Sequence, residues 1–206
     1  MKVCLLGATG RTGQVILETA IKDNLEVHAL IRSPEKIPFK NPKLTLFKGN
    51  ALSLPDLKNA MNGCEVVVSA LNTDGNNTIS KSMPLIVQAM LEEGIKRIIT
   101  IGTAGILNSR YEHGKLRYES KESKRKSTRA AEDHHKGFNV LHRSTLNWTI
   151  VCPTYLPDGE LIGTCRAEKN LLPLNGSKIH VADTALFAYN QIYNNNYLRT
   201  RVGIAY

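Results

Sequence analysis

Three glycines near the start of the chain form the most specific chemical motif in this sequence. Gly7, Gly10 and Gly13 follow an apolar run and open a segment with helical spacing. The first glycine permits a tight exit from a strand, the second lets the backbone approach a pyrophosphate, and the third lets the helix pack closely on the sheet. The helix start adds free N–H groups and a positive dipole. The loop 7–13 therefore predicts a site for dinucleotide phosphates, with an ordinary strand–turn–helix connection as the alternative.

The residues after the second predicted strand, 27–31, distinguish the two nicotinamide dinucleotides. NAD sites place an acid there to accept from the ribose 2′-hydroxyl, but Arg32 and Ser33 follow this strand. Arginine cannot accept a hydrogen bond, although its planar fork can clamp a 2′-phosphate. Arg11 could close over the same end. The missing acid predicts NADP(H) in preference to NAD(H); the alternative is that Arg32 is a solvated residue in the turn toward Pro34.

Strands and helices that would position these residues alternate through the first half of the chain. Ser53 is a plausible N-cap for the second helix, and such alternation with continuously apolar strands predicts a parallel sheet covered on both faces. We expect an α/β fold: one Rossmann-like, doubly wound domain over 1–206, with a dinucleotide-binding core over 1–153. Apolar runs predict strands at 3–6, 27–31, 44–47, 65–70 and 97–101, and helical spacing predicts helices at 14–22, 54–61 and 80–93.

The second half of the chain is less regular. Its patterns predict helices over 133–144 and 183–193 and strands over 148–152 and 200–204. The segments between them, mainly 105–132 and 154–180, are expected to form a small irregular region that covers the substrate.

Composition narrows the class of protein. The net charge is +9, and much of it lies in the segment 110–129. No aromatic platform accompanies that segment, so a solvated surface is favoured over nucleic-acid binding. The four cysteines are scattered and predict neither a disulfide framework nor a metal site. With no apolar run near the roughly 20 residues of a membrane span and no signal peptide pattern, we expect a cytoplasmic monomer or small homo-oligomer.

The sequence resembles an atypical short-chain dehydrogenase/reductase. The subgroup that it resembles holds biliverdin-IXβ reductase/flavin reductase and bacterial NADH-flavin reductases, and the similarity spans nearly the whole chain. The glycine loop is specific to the superfamily, whereas the later matches select the subgroup. The matching segments are 7–13, Arg32, 49–51, 71–73, 101–104, 133–134, 151–155 and 181–185.

The resemblance implies a role for each matching position. His134 matches a histidine near the substrate pocket, and Thr103 stands where relatives have a serine or threonine near the nicotinamide; both are candidate catalytic residues. Many relatives have Asp in place of Asn50, and Asn keeps an acceptor oxygen for the adenine. By the same resemblance, the pyrophosphate would be held by Gly7, Thr9, Gly10, Arg11, Thr12 and Gly13, and the 2′-phosphate by Arg32 and Ser33. The adenine would lie beside Asn50 and Ala51, and the ribose and nicotinamide beside Leu71, Asn72, Thr73 and Thr103. The wall of the site beyond the nicotinamide would be formed by Pro153, Thr154 and Tyr155.

One departure from the superfamily concerns its Tyr-x-x-x-Lys pair, in which the lysine lowers the tyrosine pKa for proton transfer. Tyr111 and Lys115 have this spacing, but Gly114 breaks the helical pattern. We therefore expect a coincidental match in a loop. Tyr118 has no lysine at the required offset and is a weaker candidate still.

Without a dedicated acid, an enzyme can still pass hydride from a nicotinamide to an electron-poor flat acceptor. The first hypothesis is therefore an NADPH-dependent reductase of a flavin-like, quinone-like or other small conjugated acceptor. The second is a non-catalytic NADP(H) sensor that docks to a regulator, with segment 110–129 as its surface. A sugar-nucleotide epimerase or dehydratase is a third reading, disfavoured by the doubtful tyrosine–lysine pair and the short C-terminal region. His134 is either a pocket donor or a surface residue, and His135 and His142 are expected to be exposed.

Overall fold

Eight strands form one sheet in the computed structural model, which describes residues 1–73, 75–123 and 127–206. The Asp at 74 and the basic residues at 124–126 lie outside the described residues. The strands are β1 (Lys2–Leu6), β2 (Glu26–Ile31), β3 (Leu44–Lys48), β4 (Val66–Ser69), β5 (Arg97–Ile101), β6 (Asn147–Pro153), β7 (Arg166–Lys169) and β8 (Thr200–Ala205). The helices are α1 (Arg11–Lys22), α2 (Leu54–Met61), α3 (Thr78–Glu92), α4 (Arg129–Arg143) and α5 (Val181–Asn190).

The sheet order is β3-β2-β1-β4-β5-β6-β8-β7, and every neighbouring pair is parallel except β7 with β8. The chain winds outward from β1 in one direction and then returns to continue on the other side of β1. This is the doubly wound order of the Rossmann fold, with its switch point between β1 and β4. The predicted fold class is confirmed.

Helices cover both faces of the sheet, which explains why the central strands are apolar along their whole length. On one face α2, α3 and α4 pack on alternate strand residues such as Cys4, Val67 and Ile98. On the other face α1 and α5 pack on residues such as Val3 and Val68. Two apolar layers therefore hold the strands rigid and present their carboxyl ends along one edge.

The sequence patterns predicted most element bounds well but placed three features wrongly. Helix α4 begins four residues before the expected 133, and α5 covers 181–190 rather than 183–193. The short antiparallel strand β7 was not predicted, because the sequence Arg-Ala-Glu-Lys has no apolar alternation.

Ser53 caps α2 as predicted: its hydroxyl oxygen accepts a hydrogen bond from the Asp56 N–H. Within the described part of the chain, no helix combines the length and the apolar character that crossing a bilayer requires.

Candidate functional site

The glycine loop lies at the switch point, where the carboxyl ends of β1 and β4 meet. Gly7 adopts a φ of +84°, and a Cβ there would stand 2.7 Å from the backbone of Ala70, just beyond β4. A Cβ on Gly13 would lie 2.0 Å from the Gly7 carbonyl oxygen. Helix α1 can therefore approach the loop this closely only because neither position carries a side chain.

Gly10 differs from the other two glycines because its surroundings are open. Its φ of −81° suits any residue, and an added Cβ would meet only the Gly7 oxygen, at 3.4 Å. Gly10 is the N-cap of α1 and gives no side-chain cap, and the first turn of the helix holds no acid. The N-terminal N–H groups and the positive end of the helix dipole thus face an open space bordered by exposed Thr9 and half-buried Thr12.

The predicted 2′-phosphate residues lie at the carboxyl end of β2. Arg32 is exposed and Ser33 is half-buried. Lys48, which belongs to no recognisable motif, ends β3 opposite Ile31 and so adds a second cation to this end of the sheet. Its only sequence signal is its position as the last residue of a strand. Glu35 lies close by, and its own backbone N–H, the Ser33 hydroxyl, Lys36 and Lys48 lower the pKa of its carboxyl.

A turn after β3 places Asn50 and Ala51 beside the same edge. The Asn50 side-chain oxygen accepts from the Leu52 N–H at 3.0 Å, so one of its acceptor positions is used within the turn. The Asn50 N–H donates to the Asp56 carboxylate at 2.8 Å. Asp56, also missed from the sequence, therefore fixes the turn that borders the expected adenine position.

Leu71, Asn72 and Thr73 follow β4 and lead toward α3. Leu71 packs on the α2–α4 core, whereas Asn72 is exposed and Thr73 is half-buried. The start of α3 is held by Asp133 of α4, whose two carboxylate oxygens accept from the N–H groups of Ile79 at 3.1 Å and Ser80 at 2.9 Å. Asp133 is only 2% exposed and acts as a cap supplied from another helix.

Thr103 follows β5 at the same edge. Its hydroxyl oxygen accepts from the Gly105 N–H at 3.4 Å, which leaves the hydroxyl hydrogen available to donate. Pro153 is the last residue of β6 and is buried. Thr154 donates to the Ser177 carbonyl at 3.4 Å, and Tyr155 is 62% exposed. These residues lie at the carboxyl ends of β5 and β6, on the other side of the switch point from Arg32.

Arg11 reaches across from the glycine loop to the loop that follows β6. Its Nη1 donates to the Asp158 carboxylate at 3.0 Å and to the Leu156 carbonyl at 3.2 Å. The far part of that loop is anchored by Asp183 of α5, which accepts from the N–H groups of Ile162 and Gly163. The contact directs Arg11 toward the wall of the cleft rather than toward Arg32, so the structure does not bring the two arginines together.

His134 is buried in α4 at 9% exposure, so it is not a surface histidine. Burial lowers its pKa from 6.5 to about 4, against the opposing charge of Asp133. The imidazole is therefore neutral at pH 7 and holds no ionising proton to transfer there. His142 is exposed as expected, whereas His135 is half-buried, which corrects that expectation.

Tyr111 and Lys115 lie in a loop, as the sequence predicts. Tyr111 is 75% exposed, and Lys115 pairs with Glu112 at 2.7 Å. Tyr118 instead shares a hydrogen bond with His135 Nδ1 at 2.9 Å. Burial, followed by the neighbouring Glu119, raises the pKa of Tyr118 to about 12. A phenol with that pKa stays protonated at pH 7 and is not the activated tyrosine of ordinary short-chain dehydrogenases.

The carboxyl ends of the parallel strands therefore form an edge of the sheet that fits a dinucleotide. A cradle that two Cβ atoms would fill and an open helix N-terminus match a pyrophosphate, and Arg32 and Lys48 place two cations at the far end. No group of three or more His, Cys, Asp or Glu residues within 1–73, 75–123 and 127–206 is arranged to hold a metal ion.

Comparison with known proteins agrees with this geometry. The sequence model described as NAD(P)H-binding matches residues 7–195. A protein from Bacteroides thetaiotaomicron, provisionally named an epimerase, is 25% identical, with a TM-score of 0.87 and coverage of 100% of this chain and 96% of that chain. A protein from Streptococcus pneumoniae, provisionally named an NADH-flavin reductase, is 23% identical, with a TM-score of 0.85 and coverage of 100% and 99%. A short-chain dehydrogenase/reductase from Veillonella parvula, solved in complex with NADP, is 19% identical, with a TM-score of 0.80 and coverage of 100% and 94%.

Proposed function

The chain belongs to the NAD(P)H-binding family, and from that premise we propose that it is an NADPH-dependent reductase of a flat, conjugated acceptor such as a flavin or a quinone. The observation that carries the proposal is the glycine cradle at the switch point, where a Cβ on Gly13 would lie 2.0 Å from the Gly7 oxygen. When bound, the nicotinamide supplies hydride. The protein binds and orients both reactants, and it keeps water away from the space between them.

Thr103 and the loop after β6 would each orient one part of the reactants. The Thr103 hydroxyl keeps its hydrogen free to hold a carbonyl or amide oxygen beside the end of β5. Tyr155 offers an exposed aromatic ring, and the same loop carries Leu161 and Ile162, which are 56% and 55% exposed. Apolar, aromatic surface of this kind suits a planar acceptor that stacks more than it hydrogen-bonds.

The proton that completes the reduction comes from solvent in this proposal. His134 is neutral and buried, and Tyr118 stays protonated with a pKa of about 12. An acceptor such as a flavin holds negative charge on a conjugated ring and can take its proton afterwards, so the reaction needs no dedicated acid. We therefore assign His134 no part in proton transfer.

NADPH is the proposed cofactor because the far end of the cleft is basic. Arg32 replaces the acid of an NAD site, and Lys48 stands one strand away at the same edge. Glu35 is the opposing charge, but its carboxyl is bound by its own backbone and by Ser33. A 2′-phosphate can exploit the two cations, whereas a 2′-hydroxyl cannot. The NADP complex of the Veillonella parvula protein agrees with this choice.

The test has two parts. Titration of the purified protein with NADPH and NADH is expected to give tighter binding of NADPH, and NADPH absorbance is expected to fall with flavins or quinones as acceptors. Tighter binding of NADH would refute the cofactor assignment. Tight NADPH binding with no oxidation across flavins, quinones and tetrapyrroles would instead favour the non-catalytic sensor. Epimerisation of sugar nucleotides is not expected, since Lys115 is engaged by Glu112 outside any helix.

A further inference from the structure

Arg201 is a cation buried beneath α4. It is the second residue of β8 and is only 8% exposed. Its guanidinium carbon lies 4.5 Å from the centre of the Phe138 ring. Within residues 1–73, 75–123 and 127–206, no carboxylate forms an ion pair with it. Because a buried charge without a counter-ion costs free energy, the reason for an arginine here has to be found in its other contacts.

The guanidinium of Arg201 holds the segment that follows β5. Its Nη1 donates to the Ile106 carbonyl oxygen, and its Nη2 donates to the Asn108 side-chain oxygen at 2.7 Å. Ile106 is 1% exposed, and a buried carbonyl needs a donor. The Arg201 carbonyl accepts from the Asn170 N–H at 2.6 Å, and the Asn170 carbonyl accepts from the Asn108 N–H at 2.8 Å. The side chain and the backbone of Arg201 therefore both connect this segment to β8.

Thr103 begins the turn that Arg201 holds at its other end. It is the N-cap of the short 3₁₀ turn Ala104–Ile106. The Ile106 N–H donates to the Thr103 carbonyl at 3.1 Å, and the Gly105 N–H donates to the Thr103 hydroxyl oxygen at 3.4 Å. Because these hydrogen bonds span the whole turn, a shift of the Ile106 carbonyl moves the Thr103 hydroxyl with it.

We propose that Arg201 is a positioning residue for the reduction, acting through Thr103 rather than on a reactant. The inference rests on the proposed function, in which the Thr103 hydroxyl orients the nicotinamide. A displacement of about 1 Å in the geometry of bound reactants can cost about a hundredfold in rate. Arginine suits this task because its rigid fork reaches two acceptors at once, whereas lysine carries a point charge on a flexible stem.

Arg199 provides a matched control two residues earlier in the chain. Its guanidinium donates to three backbone carbonyl oxygens, at 2.9, 3.1 and 3.1 Å, and its carbon lies 5.9 Å from the centre of the Trp148 ring. These contacts are of the same kind as those of Arg201. They lie at the amino end of β8, however, and since β5, β6 and β8 are parallel, this is the opposite edge of the sheet from Thr103.

Double-mutant kinetics on the full chain, with NADPH and a flavin as reactants, test the proposal. Arg201→Met should lower kcat about tenfold or more and leave the KM for NADPH within about threefold, because the glycine cradle is unchanged. Arg201→Lys should recover part of the loss. In a Thr103→Val background, Arg201→Met should lower kcat by less than about twofold, because the hydroxyl that it positions is already absent. Arg199→Met should leave kcat unchanged in either background.

The fluorescence emission of bound NADPH gives a second readout that needs no turnover. Arg201→Met should shift this emission as Thr103→Val does, and the double variant should show no further shift. If the wild type binds NADPH but oxidises none of the acceptors, the proposed function fails and the emission spectra still decide the inference. If Arg201→Met does not fold, Asn108→Ala replaces it, because that change removes one acceptor of the fork at an exposed position; the same non-additivity with Thr103→Val is expected.

Three outcomes would overturn the inference. One is wild-type kcat and emission in a folded Arg201→Met variant, and another is an equal loss in Arg199→Met. The third is a loss of kcat on Arg201→Met that is as large with Thr103→Val as without it. Rates are measured well below the melting temperature of each variant, so that a merely structural role, which would lower the amount of folded protein, does not alter kcat.

Discussion

Alanine at Gly13 and alanine at Gly10 should have opposite consequences, although both replace a glycine in the same loop. A Cβ on Gly13 would stand 2.0 Å from the Gly7 carbonyl oxygen, a backbone atom that cannot swing aside as a flexible side chain would. This is about 1.5 Å short of van der Waals contact, so α1 must move away from the loop. Overpacking of this kind costs about 1–3 kcal/mol. For a chain of this size the melting temperature should fall by roughly 3–10 °C.

Gly10→Ala should leave the fold nearly unchanged. The φ of −81° suits alanine, and the new Cβ would meet only one atom, at 3.4 Å. The lower entropy of the unfolded chain contributes about 0.4–1 kcal/mol, which a poorer helix N-cap offsets by a similar amount. Stability should therefore change by less than about 1 kcal/mol. The same Cβ would occupy the space through which the pyrophosphate approaches the backbone, so NADPH affinity should fall at least tenfold.

Thermal unfolding followed by circular dichroism without dinucleotide, and fluorescence titration with NADPH, measure the two effects separately. Gly13→Ala is expected to melt early, and Gly10→Ala is expected to melt with the wild type but bind poorly. The reasoning fails if Gly13→Ala melts with the wild type, or if Gly10→Ala binds NADPH with wild-type affinity.

Three further perturbations test other parts of the site. Arg32→Ala should weaken NADPH binding about tenfold, because one charge-assisted hydrogen bond is lost, and should leave the affinity for NADH within twofold of wild type. Lys36→Ala is the control. Equal losses of affinity for both dinucleotides would argue against a 2′-phosphate contact. Asp133→Ala should cost about 1–3 kcal/mol in urea unfolding, because two N–H groups at the start of α3 lose their acceptor, and Asp133→Asn, which keeps one oxygen, should cost less. The pKa of His134 falls from 6.5 to about 4 on folding, so the unfolded chain binds the proton between those values and stability should drop by about 3 kcal/mol as pH falls through that window. Urea unfolding at several pH values should show this drop in wild type and not in His134→Gln.

The sequence determines most of the fold because its strongest signals are local. Helix α2 and strand β5 have the bounds that their apolar spacing predicts, and Ser53 caps α2 as its position suggests. Strand β7 could not be predicted from the sequence, because an edge strand of four polar and small residues has no alternation of apolar and polar side chains. It forms only because β8 offers it a free edge.

Site residues that act through distant contacts could not be found in the same way. Asp133 matters because α4 places it against the start of α3. That partnership leaves no spacing in the sequence. Asp158, which holds Arg11, belongs to a loop with no motif at all. Motifs such as the glycine loop are visible because one continuous segment performs the whole function.

Several cations of the basic segment 110–129 are paired with carboxylates of the protein itself. Arg110 donates to Glu168 at 2.6 Å, and Lys115 pairs with Glu112 at 2.7 Å. Arg117 pairs with Glu122, which is only 7% exposed. Each of these cations already has a carboxylate, so a phosphate backbone would have to displace that carboxylate before it gained the attraction. We therefore expect nucleic-acid binding by this surface to be weak. The pair of Arg110 with Glu168 also ties the loop to β7.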